Sequence, residues 1–197
     1  MEVIQIQLET MANQSFAEPV ALAMGNFDGV HYGHQKVLKI CVEKAREKGV
    51  IPSVLTFFPH PSRVIPSKRK AQLLYPKARK YKYMAELGIE RVYELRFEQS
   101  LADLEPQAFI DQILRKLNAK HLVAGFDFCF GHFGQGKFMQ FDAYKHDGMT
   151  YTVVEETQYL SEKVSSTRIR ACILEGAFEL AMHLLGRPFS STAIVVT

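Results

Sequence analysis

The sequence predicts an α/β fold: an open parallel sheet of five strands with helices on both faces. Three observations carry that prediction. Short apolar runs bounded by glycine or proline alternate with segments of helical spacing, the pattern of successive β-α units. No internal repeat or low-complexity tract interrupts the alternation. At 197 residues, 47% hydrophobic and 23% charged, the chain has an ordinary globular composition and enough apolar material for a sizeable core.

The first strand is predicted in "PVALAMGNF" (19–27). In "QKVLKICVEKAREKG", Val37, Leu38, Cys41, Val42 and Ala45 fall at helical spacing, and Gly49 supplies a stop. The second strand is "VIPSVLTFF", followed by a helix in "PKARKYKYMAELG" and the third strand in "IERVYELRF". Another helix is expected in "EPQAFIDQILRKL", with Pro106 suited to its first turn. "AKHLVAGFDF" is the fourth strand running into a loop, and "MTYTVVEET" is the fifth. Two helices then follow in "SSTRIRACILEG" and "AFELAMHLLG", the first capped by Ser165 or Ser166.

Composition also excludes several classes. A formal charge of +3 is too mild for a nucleic-acid surface, and basic residues are not interleaved with aromatics as RNA binding would require. No run approaches the ~20 apolar residues of a membrane span, and "MEVIQIQLET" has neither a basic flank nor an apolar signal core. A cytoplasmic protein with no membrane partner is expected. Cys41, Cys129 and Cys172 lie far apart with no C-x-x-C pair, so neither a disulfide framework nor a cysteine zinc site is predicted.

Two segments depart from the β-α rhythm. "PHPSRVIPSKRKAQLLYP" (59–76) is a long proline-rich connection, the kind of segment from which mobile lids are drawn. The last stretch, "GRPFSSTAIVVT", reads as a loop and one strand without a partner.

Chemistry concentrates in "MGNFDGVHYGHQKVL" (24–38), at the end of the first strand, where an open parallel sheet places its ligand crevice. Gly25 and Gly29 let the backbone turn sharply, and a helix starting near Tyr32 or Gly33 offers unpaired N–H groups and a positive dipole end. His31 and His34, three apart, are placed to donate to oxygens whose charge grows as a phosphoryl group is transferred. Taken alone, H-x-x-H also suits solvent-facing or core histidines, and a zinc pair is disfavoured because no third nitrogen or sulfur ligand falls nearby. The glycines flanking the strand-to-helix junction favour the phosphate site.

"GNFDGVHYGH" is similar to the H-x-G-H signature of the nucleotidyltransferase superfamily, with His31, Gly33 and His34 at the motif positions. "LTFFPHP" (55–61), "GFDFCFG" (125–131) and "VSSTRIR" (164–170) follow in order. The series resembles the FMN adenylyltransferase (FAD synthetase) module of bacterial bifunctional riboflavin kinase/FAD synthetases, from about Ala21 to Phe189. The resemblance implies a Rossmann-like nucleotidyltransferase fold and a reaction of FMN with MgATP to give FAD and pyrophosphate, by direct attack of the FMN phosphate on the α-phosphate.

The same resemblance assigns roles. His31 and His34 would hold the phosphates at the reacting centre, while Gly25, Asn26, Phe27, Asp28, Gly33 and Ser165 would shape the ATP site. Mg2+ would be bridged mainly by the phosphates, with Asp28 placed to approach it. Ser166, Thr167 and Arg170 would hold the departing pyrophosphate, although the segment by itself reads as a capped, exposed helix end; Arg168 lies on another helical face. Phe58, Pro59, His60 and Pro61 would begin a flavin-side flap, and Asp127 and Phe128 would contact the flavin or its ribityl chain. Cys129 and "GHFGQGKF" depart from the family's pattern on that side.

The organisation expected is an adenylyltransferase domain over 1–186 and, over 187–197, a tail resembling the start of an absent kinase barrel, hence no riboflavin kinase activity. Two other readings stand beside this one: an H-x-G-H adenylyl- or cytidylyltransferase with a different phosphate acceptor, and a non-catalytic nucleotide-binding module.

Overall fold

The computed structural model describes residues 1–14, 16–65 and 72–188. Strand β1 (Glu2–Ile6) leads into one helical turn, α1 (Leu8–Met11), then the fully buried β2 (Val20–Met24) and the long helix α2 (Tyr32–Lys48). Next come β3 (Ile51–Phe58), α3 (Lys77–Glu86), β4 (Arg91–Arg96), the short α4 (Gln99–Ala102) and α5 (Pro106–Phe109). Helix α5 runs on as a π-helical stretch over Ile110–Leu114 before β5 (Ala119–Gly125). The two-residue strands β6 (Cys129–Phe130) and β7 (Gly136–Lys137) form a small ribbon ahead of β8 (Thr150–Val154). A second ribbon, β9 (Gln158–Tyr159) with β10 (Glu162–Lys163), precedes α6 (Ser166–Leu174) and α7 (Phe178–Leu185).

The main sheet is parallel throughout and has six strands in the order β1-β4-β3-β2-β5-β8. The count corrects the five expected. The additional strand is "EVIQI", which pairs with β4 in register Glu2 to Arg91 and sits at the sheet edge with Ile6 buried. An edge strand buries little, so its apolar signal is weak. Among the described residues no helix is long and apolar enough to cross a membrane, and Cys41, Cys129 and Cys172 are free.

Strand β2 explains the layering. Val20, Leu22 and Met24 face one side, packing with Leu55, Leu95, Ile110, Ile113 and Leu114. Ala21 and Ala23 face the other, where Val37, Leu38, Cys41 and Ala45 of α2 and Met84 of α3 cover them. A strand covered on both faces needs apolar side chains at every position, which is what "VALAM" provides. Helices α6 and α7 close on a separate cluster of Ile169, Cys172, Ala181, Leu184 and Leu185. Residues 66–71 of the proline-rich connection and the tail strand expected beyond 188 lie outside the described residues.

Candidate active site

The strand order reverses at β2, with β3, β4 and β1 to one side and β5 and β8 to the other. In open parallel sheets a ligand crevice forms beyond the carboxyl ends of the strands at such a point. Here it is a cleft of about 1240 Å³, lined by the segments that follow β2, β3 and β5 and by the start of α6. Single-ligand pockets commonly run to roughly 300–1000 Å³, so the cleft is larger than one small ligand needs.

The segment after β2 turns through left-handed backbone at Phe27 (φ 51°), Gly29 (φ 82°) and Val30 (φ 41°). Gly29 is the residue that this conformation calls for, and an added Cβ would also displace Leu74 Cδ1, 2.6 Å away. Donors from other elements take the carbonyls of this turn. Lys80 Nζ (3.2 Å) and Thr56 Oγ1 (3.3 Å) donate to Asn26, Ser166 Oγ to Asp28 (2.8 Å), and Gln35 Nε2 to Val30 (3.1 Å).

His31 is the N-cap of α2: its Nδ1 accepts the His34 N–H at 3.3 Å, which leaves the ring proton on Nε2. The rings of His31 and His34 stack with centroids 3.5 Å apart and planes 16° apart, and Phe27 packs edge-on to His34 at 5.3 Å. Burial, then the nearby Arg187 charge, lowers the His31 pKa to about 4. Burial, then proximity to His31, holds His34 well below the usual histidine range. Both rings are therefore neutral near pH 7, each carrying one N–H donor. Gly33 lies beside the His31 ring, which a Cβ would meet at the ordinary contact distance of 3.4 Å.

Across the cleft, Ser165 caps α6, its Oγ accepting the Arg168 N–H at 3.2 Å, and Ser166 and Thr167 line the wall. Arg170 also lines it, with Nη2 2.6 Å from Asp28 Oδ2 and Nε 2.6 Å from the Gln72 carbonyl. The other Asp28 oxygen accepts the Leu74 N–H at 2.9 Å. Each carboxylate oxygen thus has one protein partner, and Arg170 stands beside Asp28 as its counter-charge. Among the described residues no group of three or more His, Cys, Asp or Glu side chains is placed to hold a metal ion. Arg168 serves the ribbon before α6: it donates to the Tyr159 and Glu162 carbonyls and pairs with the Glu162 carboxylate at 3.0 Å.

On the remaining side, His60 and Pro61 line the cleft, but Phe58 and Pro59 do not. Phe58 projects from the opposite face of β3, 48% exposed, under Lys77 Nζ at 4.7 Å from its ring. Its neighbour Phe57 lines the cleft instead and packs edge-on to Phe97 at 5.8 Å. His60 Nδ1 accepts the Ser62 N–H at 3.2 Å, and burial lowers its pKa. Asp127 and Phe128 line the wall below β5; Asp127 is ion-paired with Lys163, itself a lining residue, and Phe128 packs edge-on to Phe138. Cys129 is exposed, with Lys137 Nζ 3.4 Å from its sulfur, and Phe133 stands 82% exposed at the rim. Phe57, Lys163 and Phe133 are lining residues that sequence reasoning missed. Alternation along β3 puts Phe57 on the same face as Leu55, a phase that the structure and not the run itself reveals.

The chain matches the family model described as FAD synthetase over residues 13–168. It is 42% identical over 176 residues to a bifunctional riboflavin kinase/FMN adenylyltransferase of Listeria monocytogenes, covering 89% of this chain and 56% of that protein. It is 33% identical over 202 residues to an FAD synthetase of the same organism, covering 99% of this chain and 78% of that one. A solved structure described as a macrolide-efflux protein from Streptococcus pneumoniae superposes with a TM-score of 0.85 at 27% identity, over 96% of this chain and 61% of that chain. The chain therefore spans a little over half the length of the bifunctional relative.

Proposed function

The chain belongs to the FAD synthetase family, and on that premise we propose that it is an FMN adenylyltransferase, transferring the AMP moiety of ATP to FMN. A phosphate oxygen of FMN attacks the α-phosphorus of ATP, the new P–O bond forms, the bond to the β-phosphate oxygen breaks, and pyrophosphate leaves with that electron pair. No protein nucleophile takes part, so catalysis comes from positioning and charge stabilisation.

The observation that carries this reading is the stacked pair His31 and His34 at the start of α2, facing the cleft that the start of α6 also lines. Neutral imidazole N–H groups in a buried setting stabilise charge that develops on the α-phosphoryl oxygens, at little reorganisation cost. Gly25, Asn26, Phe27, Asp28, Gly33 and Ser165 shape the ATP site. Ser166, Thr167 and Arg170 receive the pyrophosphate, the guanidinium being already oriented by Asp28. The flavin lies toward Phe57, His60, Pro61, Asp127 and Phe128, where aromatic and apolar wall suits an isoalloxazine ring. Mg2+ would enter with ATP and be held mainly by its phosphates, with the Asp28 carboxylate close by between Arg170 and the Leu74 N–H. A cytoplasmic setting suits a chain with three free cysteines.

Incubation with FMN, ATP and Mg2+ followed by chromatography should yield FAD and pyrophosphate. Adenylylation of pantetheine phosphate or a polyol phosphate with no FAD formed would overturn the acceptor assignment, and no adenylyl transfer at all would reduce the site to a binding module.

A further inference from the structure

Arg187 follows the Gly186 C-cap of α7, outside the stretch matched by the family model. Its guanidinium reaches back across the fold to the turn that precedes α2. Nη1 donates to the Val30 carbonyl at 3.0 Å, and Nη2 donates to the Gly29 carbonyl. The group lies over the Tyr83 ring at 3.8 Å and near the Tyr75 ring at 5.5 Å, so two aromatic faces fix its position. Gln35 adds a second tie, bridging the Val30 carbonyl (3.1 Å) and the Leu185 carbonyl (2.7 Å).

The two carbonyls that Arg187 holds lie on left-handed backbone that Gly29 adopts freely but Val30 does not. Gly29 and Val30 have φ of 82° and 41°, and Val30 is β-branched, a residue type that rarely adopts left-handed backbone. Such a conformation costs on the order of 1–3 kcal/mol and persists where its surroundings over-determine it. The next residue is His31. Its place as N-cap of α2 and its stack on His34 follow from where Val30 delivers the chain. The same cation, second to burial, disfavours protonation of His31.

We infer that Arg187 is a positioning residue for the histidine pair, fixing through the Gly29 and Val30 carbonyls the turn that sets His31 in the cleft. The inference rests on reading the cleft as an adenylyl-transfer site. A lysine would not substitute, because a single ammonium lacks both the planar fork that spans two successive carbonyls and the flat face that stacks on Tyr83.

The test uses Arg187→Ala and Arg187→Lys in the full chain, with two readouts. In FAD synthesis, a misplaced His31 should lower kcat about 100-fold in R187A, with KM for FMN and ATP nearly unchanged, partial recovery on adding guanidinium ion, and less than full activity in R187K. In amide hydrogen exchange, the Val30 and His34 N–H groups, the latter bonded to His31 Nδ1, should exchange faster in R187A while the centre of β3 stays protected. Unchanged kcat in both variants, or protection lost evenly through the sheet, would overturn the inference. An unmodified chain that makes no FAD would sink the adenylyl-transfer reading instead, and exchange at Val30 and His34 would still decide what Arg187 holds.

Discussion

Replacing Asp28 with asparagine removes one charge and keeps the shape of a side chain that is 5% exposed. The new amide would retain an oxygen for the Leu74 N–H but turn an NH2 group toward Arg170, and that group cannot accept the hydrogen bond now made at 2.6 Å. A hydrogen bond to a charged group contributes about 1.5–3 kcal/mol net. The Arg170 side chain is 23% exposed, so water recovers part of that; a loss of about 1.5–2.5 kcal/mol remains. At about 2–4 °C per kcal/mol for a chain of this size, the thermal midpoint should fall by roughly 3–10 °C. Circular dichroism melts of the unmodified and D28N proteins measure it directly. Saturating MgATP should narrow the gap, because phosphate supplies Arg170 with the anion it lost. A double-mutant cycle with Arg170→Met should return a coupling of at least about 1 kcal/mol. Equal midpoints without ligand, or strictly additive single changes, would show that solvent already screens the pair.

Replacing His31 or His34 with alanine should lower kcat for FAD formation on the order of a hundredfold or more while FMN binding, followed by flavin fluorescence, changes little; unchanged turnover would remove the pair from the chemistry. Stability should decline as pH falls from about 6.5 toward 4, because His31 and His121, at about 4 in the folded protein, stay neutral where the unfolded chain takes protons. Each contributes a slope of up to about 1.4 kcal/mol per pH unit, none of it above that window, and urea midpoints that are flat between pH 7 and 5 would contradict this. Phe57→Ala should raise KM for FMN, whereas Phe58→Ala, on the opposite face of β3, should leave it unchanged in steady-state assays; the reverse order would place the flavin elsewhere.

The periodic core was legible. The apolar positions Val37, Leu38, Cys41, Val42 and Ala45 predict the buried face of α2; four are buried beneath β2, and Val42 is half-buried against the same cluster. So was the local chemistry of "GVHYGH" and "SSTRIR", where a strand-to-helix turn and a capped helix start are written into consecutive residues. Less could be read where a contact joins distant segments. Asp28 and Arg170 meet across 142 positions, and Gly29 and Arg187 across 158, separations at which no spacing rule operates. The phase of β3 was hidden for another reason. Residues 52–56 are buried without alternation, so the run gives no indication by itself of whether Phe57 or Phe58 turns toward the cleft. The edge strand "EVIQI" escaped because only Ile6 in it is deeply buried.

The order of the main sheet makes it a ruler. Strands β3 and β5 flank β2, and hydrogen-bonded neighbours stand about 4.8 Å apart. The histidine turn is rooted on the middle strand and two walls of the cleft on its neighbours, so the spacing across the cleft is set by backbone pairing beneath it. The histidine turn is also tied to α3, α6 and the chain after α7. A change in the walls beyond β3 or β5 should therefore leave the histidine turn where β2 and those ties hold it.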